Sequence, residues 1–380
     1  MTLRYDHPPR AAYVHVPFCR HRCGYCNFTL VAGRDDLVEP YLDAIERELA
    51  AIEATEVDTL YFGGGTPTHL DAAALERLLR LVAATFPLAN GGELSVEANP
   101  ADLDSSRVDV LGRSGTTRVS LGGQSFAADK LTLLERDHVA DDIAAAVELV
   151  CAAGCQVALD LIFAAPGESL GDWQRELQAA LELAPEHVST YGLTFEEGTT
   201  FWSRRARGEL TEVDEETQRA MYLEAIDRLT DAGYEHYEVS NFARRGCRSR
   251  HNEVYWTGRS YHAVGPGAAR FVAGRRETNH RSTTTYIKRM LAGASPVAES
   301  EQLSGADAAR ERLVFALRRL EGIDLKRFAA ETGCEVAELV GRHLDEHLAA
   351  GRLIRERDTL RLSREGLLVS DAIWSDFLSC

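Results

Sequence analysis

Cys19, Cys23 and Cys26, in the stretch YVHVPFCRHRCGYCNF, are the residues whose type and spacing most directly suggest chemistry. Three thiolates in a Cys-x3-Cys-x2-Cys arrangement can ligate three irons of a [4Fe–4S] cubane and leave the fourth iron open to an external chelator. A structural zinc ion is the competing occupant. It takes four closed ligands, so His15, His21 or a remote cysteine would have to supply the fourth. The other five cysteines are scattered along the chain: Cys151 and Cys155, at a helix end, read as small buried thiols, Cys247 as an exposed thiol among arginines, and Cys334 and Cys380 carry no signal.

The elements that must hold these thiolates are β/α units. Short β-rich runs (13–16, 59–62, 94–98, 118–122, 156–163 and 187–195) alternate with segments that repeat apolar residues at i, i+3, i+4 and i+7, the pattern of helices laid over a parallel sheet. Six units are too few for a closed eight-stranded barrel. The expected fold is therefore α/β, a partial, open (β/α)6 TIM-like barrel. The cysteines follow its first strand, on the side where such barrels carry their sites. Beyond residue 200 come a long surface helix ending at Gly233, a strand-like HYEVSNFA and a basic, loop-rich stretch to about 280. From about 300 onward, three helices and a two-strand ribbon suggest a winged-helix-like α+β unit. The third helix, Val336 to Gly351, mixes acidic with basic residues, which suits packing or partner docking better than DNA. The expected organisation is a barrel over 1–235, an extension over 236–300 and a C-terminal unit over 301–380.

Composition excludes some functions. The net charge of −17 opposes nucleic acid as a partner, because phosphate neutralisation supplies most non-specific affinity for it. No apolar run reaches the roughly 20 residues that span a bilayer, and MTLRYDHPPR lacks the apolar stretch of an export signal. A cytoplasmic location is expected, where cysteines serve metal or redox chemistry more often than disulfides.

Other strand ends agree with the cysteines. The second strand runs into Gly63-Gly64-Gly65-Thr66-Pro67, a turn that lets backbone groups approach a ligand closely. Glu97, Gln124 and Asp160 fall on the third, fourth and fifth strands, and a polar ligand needs such convergent groups at one mouth.

Together YVHVPFCRHRCGYCNF, YFGGGTPT, SVEANP, RVSLGGQSF, LDLIFAAPGE and TFEEGT resemble, over nearly the whole chain, the oxygen-independent coproporphyrinogen III oxidases and their paralogues, the radical-SAM haem chaperones. The resemblance implies a [4Fe–4S] cluster on Cys19, Cys23 and Cys26 whose open iron is chelated by S-adenosylmethionine (SAM). It further implies SAM contacts from Tyr13, Gly64, Gly65, Thr66 and Glu97, with Gln124, Arg136 and Asp160 at further ligand positions. Three features favour the chaperone branch. Asn27-Phe28 stands where the oxidases usually carry a fourth cysteine, only 18 residues precede Cys19 where the oxidases have an extension, and residues 251–256 read HNEVYW, like the chaperones' HNxxYW.

Physically, His251 offers an imidazole to haem iron, while Asn252, Tyr255 and Trp256 offer an amide and flat apolar surface to the macrocycle. Arg244, Arg245, Arg248 and Arg250 lie beside them and suit haem propionates. The bland alternative is a loop whose aromatics pack on the barrel. The expected function is delivery of haem to recipient haem proteins, respiratory and membrane-bound ones included, with an electron donor for the cluster. The alternative is an oxidoreductase that decarboxylates coproporphyrinogen III to protoporphyrinogen IX. An RNA-modifying radical-SAM enzyme would conflict with the net charge.

Overall fold

The computed structural model describes residues 8–379. Its central sheet contains β1 (Ala11–Val16), β2 (Val57–Gly64), β3 (Leu88–Ala98), β4 (Arg118–Gln124), β5 (Gln156–Phe163), β6 (His187–Gly192), β7 (Glu235–Glu238), β8 (Asn241–Ala243) and β9 (His262–Val264). The order across the sheet is β9-β1-β2-β3-β4-β5-β6-β8-β7. The first six run parallel in chain order, as the alternation with helices predicts. β9 adds parallel to β1, while β8 and β7 finish the other edge antiparallel. The two edges are separate strands, so the sheet is open.

Helices Val38–Leu49, Ala72–Thr85, Ser105–Arg113, Ala140–Ala152 and Leu170–Leu183 connect the parallel strands, and Glu215–Asp231 follows the last. Asp71, Asp104, Ser169 and Asp214 cap four of them by accepting backbone N–H bonds, which satisfies donors that a helix start leaves unpaired. Their apolar stripes and the outward residues of the strands, among them Val119, Leu121, Val157, Leu159 and Val188, form the main core. The inward face is different. Strand side chains alternate with period two, and the inward set along β4 is Arg118, Ser120, Gly122 and Gln124, followed on β6 by His187, Ser189 and Tyr191. The sheet therefore surrounds a polar cavity where a closed barrel would have packed side chains.

The stretch after 235 holds more structure than its sequence suggests. HYEVSNFA folds as the β7–β8 turn, and the basic stretch contains a helix (Arg250–Trp256), β9, and two strands of a separate three-stranded sheet (Ala269–Val272, Arg275–Asn279, Val297–Glu301). In the C-terminal unit the expected ribbon, Leu353–Glu356 with Thr359–Leu362, gains a third strand, Ile323–Asp324. The expected third helix is two, Val336–Val340 and Arg342–Ala349, because Gly341 takes φ +51 and interrupts the turn. Among the described residues no helix is long and apolar enough to cross a membrane.

Glu238, fully buried at the end of β7, joins this unit to the sheet. One carboxylate oxygen accepts from Ser240 N and Asn241 Nδ2 at 2.9 and 2.6 Å, and the other from Arg318 Nε at 2.7 Å. Removing one partner of a buried ion pair leaves the others unpaired, which costs about 3–5 kcal/mol. Glu238→Ala should lower the free energy of unfolding by that order in urea titrations; a loss below about 1 kcal/mol would show that the junction does not depend on it.

Candidate functional site

One cavity of about 620 Å3 opens at the C-terminal ends of the parallel strands. Cys19, Cys23 and Cys26 all line it, as do Gly64, Gly65, Thr66, Glu97, Gln124, Arg136 and Asp160. The structure thus brings the cysteines and most of the proposed SAM residues to one cavity.

Each thiol is positioned differently. Cys19 Sγ lies 3.4 Å from Thr66 Oγ1, and Arg136 Nη1 donates to Cys23 Sγ at 3.6 Å. Arg136 is itself held by Nη2 bonds to Asn99 Oδ1 and Gly122 O, both 2.8 Å. Burial pushes the Cys19 thiol up to about 12, so iron must displace its proton, as thiolate ligation generally requires. Among the described residues no three His, Cys, Asp or Glu side chains converge as they would around a single metal ion. The two nearby imidazoles are committed elsewhere. His15 bonds Tyr13 OH and Thr29 O, and His21 Nε2 bonds Glu135 O while lying 3.7 Å from Cys23 Sγ. Three spaced thiols, a guanidinium beside one of them and, among the described residues, no fourth side chain converging on them fit a cluster with one open iron better than a closed zinc site.

The glycine turn is shaped by crowding. A Cβ on Gly65 would sit 2.7 Å from Phe18 O and 2.8 Å from Val16 O, and one on Gly64 (φ +108) 2.3 Å from the His15 ring. The Gly64 N–H is already used, donating to Glu97 Oε2 at 3.0 Å, while Tyr61 OH donates to Oε1 at 2.8 Å. Burial raises Glu97 to about 7, against those two bonds, and raises Asp160 to about 6. Gln124 adopts φ +64 at the end of β4, a conformation that costs a residue with a Cβ about 1–2 kcal/mol and turns its amide onto the cavity. Tyr13 stops short of the cavity wall: its ring lies against Tyr61, 6.1 Å between centroids.

The profile of the radical SAM superfamily matches residues 13–180, and that of the HemN C-terminal domain residues 303–369. The chain is 41% identical over 375 residues to a Mycobacterium tuberculosis protein named heme chaperone HemW, covering 96% of this chain and 94% of that one. Proteins of the same name from Lactococcus lactis and Escherichia coli are 33% and 32% identical, the first over 97% of both chains and the second over 98% of this chain and 99% of its own. The chain belongs to the HemW family. Its fold matches that of the E. coli coproporphyrinogen III oxidase HemN, described as a radical SAM enzyme, with a TM-score of 0.86 at 21% identity over 98% of this chain and 91% of that one.

In this HemW-family chain Phe28 is 62% exposed and lines the cavity. The HNEVYW segment is placed less openly than its sequence suggests. Its helix is held by Glu93, whose Oε1 accepts from His251 N at 3.0 Å and Oε2 from Arg250 N at 3.2 Å. His251 is buried and stacked on Tyr61, with Nδ1 bonded to Thr59 Oγ1 (3.0 Å) and Nε2 to Tyr255 OH (2.8 Å). Burial lowers its pKa to about 3. In this conformation neither ring nitrogen is available to an iron. Trp256 packs edge-on against Tyr237, and of the four haem candidates Asn252 alone lines the cavity. The arginine patch is largely engaged by the protein itself, although Arg245 and Arg250 are exposed. Arg248 pairs with Glu235, Glu253 and Glu321, Arg250 donates to Gly91 O, and Arg244 covers the Tyr234 ring.

Sequence reasoning missed Tyr61, Asn99, Ser120, Arg118 and His187 on the cavity wall. Period-two counting back from Gln124 along β4 would have found the inward Ser120 and Arg118. Cys155 is buried among apolar side chains as expected, whereas Cys151 is exposed on the outer side of its helix end; Cys247 is half-buried, Cys334 packs against the core, and Cys380 lies outside the described residues.

Glu97 gives the site a pH signature. A carboxyl whose folded pKa is raised stabilises the fold fully below its unfolded value, near 4.5, and loses that contribution as pH rises through about 7. The shift corresponds to about 3 kcal/mol. In cluster-free protein, Glu97→Gln should therefore gain melting temperature relative to the parent as pH goes from 5 to 8. Parallel pH profiles for the two proteins would contradict this.

Proposed function

We propose that this chain binds haem and passes it to recipient haem proteins, respiratory ones among them, using a [4Fe–4S] cluster on Cys19, Cys23 and Cys26 together with SAM. What carries this reading is similarity over nearly the full length to proteins named haem chaperones. When bound, the cluster would supply an open iron that chelates SAM and passes it one electron from a donor protein.

The chain's own residues would do the rest. Arg136 balances thiolate charge at Cys23, and Thr66 orients Cys19. Glu97, ionised above about pH 7, would meet the ammonium of SAM; Tyr61 and the Gly64 N–H keep its carboxylate fixed. Gln124 and Asp160 supply further polar contacts in the same cavity, and Tyr13 acts through its stacking on Tyr61. Exposed Phe28 offers the apolar lip that a flat macrocycle needs. Asn252 faces the ligand, Tyr255 and Trp256 fix its helix, and His251 would reach an iron only after releasing Thr59 and Tyr255.

Haemin titrated into cluster-reconstituted protein under anaerobic conditions should give a saturable Soret change, which His251→Ala shifts in position if the imidazole is the ligand. A band that is unchanged in His251→Ala assigns the iron to another group. Absence of any saturable change, or conversion of coproporphyrinogen III to protoporphyrinogen IX by the same preparation, would overturn the chaperone reading.

A further inference from the structure

At the other end of the cavity, about 20 Å along β4 from Gln124 by strand geometry, stand two buried polar residues that neither the cluster nor SAM uses. Arg118 opens β4 and His187 opens β6; both line the cavity, at 3% and 2% exposure. Arg118 Nη2 is anchored by Gln156 Oε1, Cys247 O and Arg248 O at 3.0, 2.9 and 3.1 Å, with Glu93 Oε2 at 3.5 Å. Its Nε and Nη1 have no hydrogen-bond partner among the described residues, and neither has His187 Nδ1.

The tautomer of His187 follows from its neighbours. Tyr237 OH accepts from Ser249 N at 3.1 Å, and among the described residues His187 Nε2, at 2.7 Å, is the one acceptor in reach of the hydroxyl proton; donation to Nε2 satisfies that proton and puts the ring proton on Nδ1. Burial, with the Arg118 charge nearby, holds the ring neutral. All three unpaired groups are therefore N–H donors, one set of them cationic. Buried donors without acceptors are rare in native proteins and mark a place where something accepts from them. The Glu93 carboxylate beside them is already committed to Arg250 N and His251 N, and Asp371, the carboxylate from the last helix that lines this cavity, is exposed.

We propose that Arg118 and His187 form a carboxylate-binding subsite at the floor of the cavity, remote from the cysteines. A cation with two free donor positions and a neutral N–H matches a carboxylate in charge and in donor count. Two sources carry that chemistry: a propionate of a tetrapyrrole reaching down the cavity, and a small free dicarboxylate.

Four probes separate them: haemin, haemin dimethyl ester, succinate and succinamide, titrated into the full chain with Soret absorbance or calorimetry as readout. A charge-assisted contact of this kind is worth on the order of tenfold to a hundredfold in affinity. If the source is a propionate, haemin should bind at least about tenfold more tightly than its ester. If it is a free carboxylate, succinate should bind and succinamide should not. Arg118→Gln should abolish either preference. Because Arg118 also ties down the 247–248 backbone, His187→Phe serves as a second variant that leaves the guanidinium in place and should weaken the preference about tenfold. Haemin equal to its ester, with no succinate binding, overturns the subsite. So does a preference that survives in both variants. The haemin arm rests on the proposed function and the succinate arm does not: haemin binding without ester discrimination and without succinate binding removes the subsite and leaves the haem reading, and succinate binding without haemin binding does the reverse.

Discussion

A sheet that turns polar side chains inward has to draw its hydrophobic stabilisation from its other face. In this chain the constraint is visible along every central strand. Val119 and Leu121 go outward to the helices while Ser120 and Gln124 face the cavity, and on β5 Leu159 and Leu161 go outward while Asp160 faces in. The helices carry correspondingly large buried residues, Tyr41, Leu78 and Trp173 among them. An inward face freed from packing can hold ionisable groups, but each must then be compensated locally, because desolvating a charge is expensive.

Buried carboxylates provide much of that compensation, and they also fix the geometry. Glu97 ties β3 to Tyr61 and to the glycine turn of β2. Glu93, two turns of the pleat earlier on the same strand, ties β3 to the start of the HNEVYW helix. Glu238 ties the sheet's far edge to the C-terminal unit. Each accepts bonds from elements distant in sequence, so these side chains specify which segments meet. Donor-rich Arg118 and His187, which face the cavity floor, are the counterpart where acceptors are missing.

The sequence reveals the parallel core and the mouth of the site because both rest on local pattern: strand–helix alternation, a tight cysteine spacing, a glycine turn and polar strand ends. It conceals what depends on long-range register. β9 has only three residues, and nothing in HAV announces that Ala263 will pair with Tyr13. Counting from Gln124 points Arg118 inward, but nothing local says that its guanidinium will meet Gln156 and the backbone at 247–248. Arg248 looks like part of a free cationic patch because its acidic partners Glu235 and Glu321 are 13 and 73 residues away. The break at Gly341 had a local signal, since a glycine inside a helical pattern weakens it.

The burial of His251 links the two ends of the site. Thr59 and Tyr61 lie two residues apart on β2 and so share a face; Thr59 holds the imidazole by a hydrogen bond and Tyr61 by its ring. The same Tyr61 hydroxyl donates to Glu97. An imidazole leaving this place for an iron would give up two hydrogen bonds, about 1 kcal/mol each in net terms, and uncover the ring that helps hold Glu97. Motion at the HNEVYW helix and charge at Glu97 thus meet at one tyrosine, and any coupling between them is reciprocal: by however much a ligand at Glu97 changes the cost of moving His251, moving His251 changes that ligand's binding free energy by the same amount.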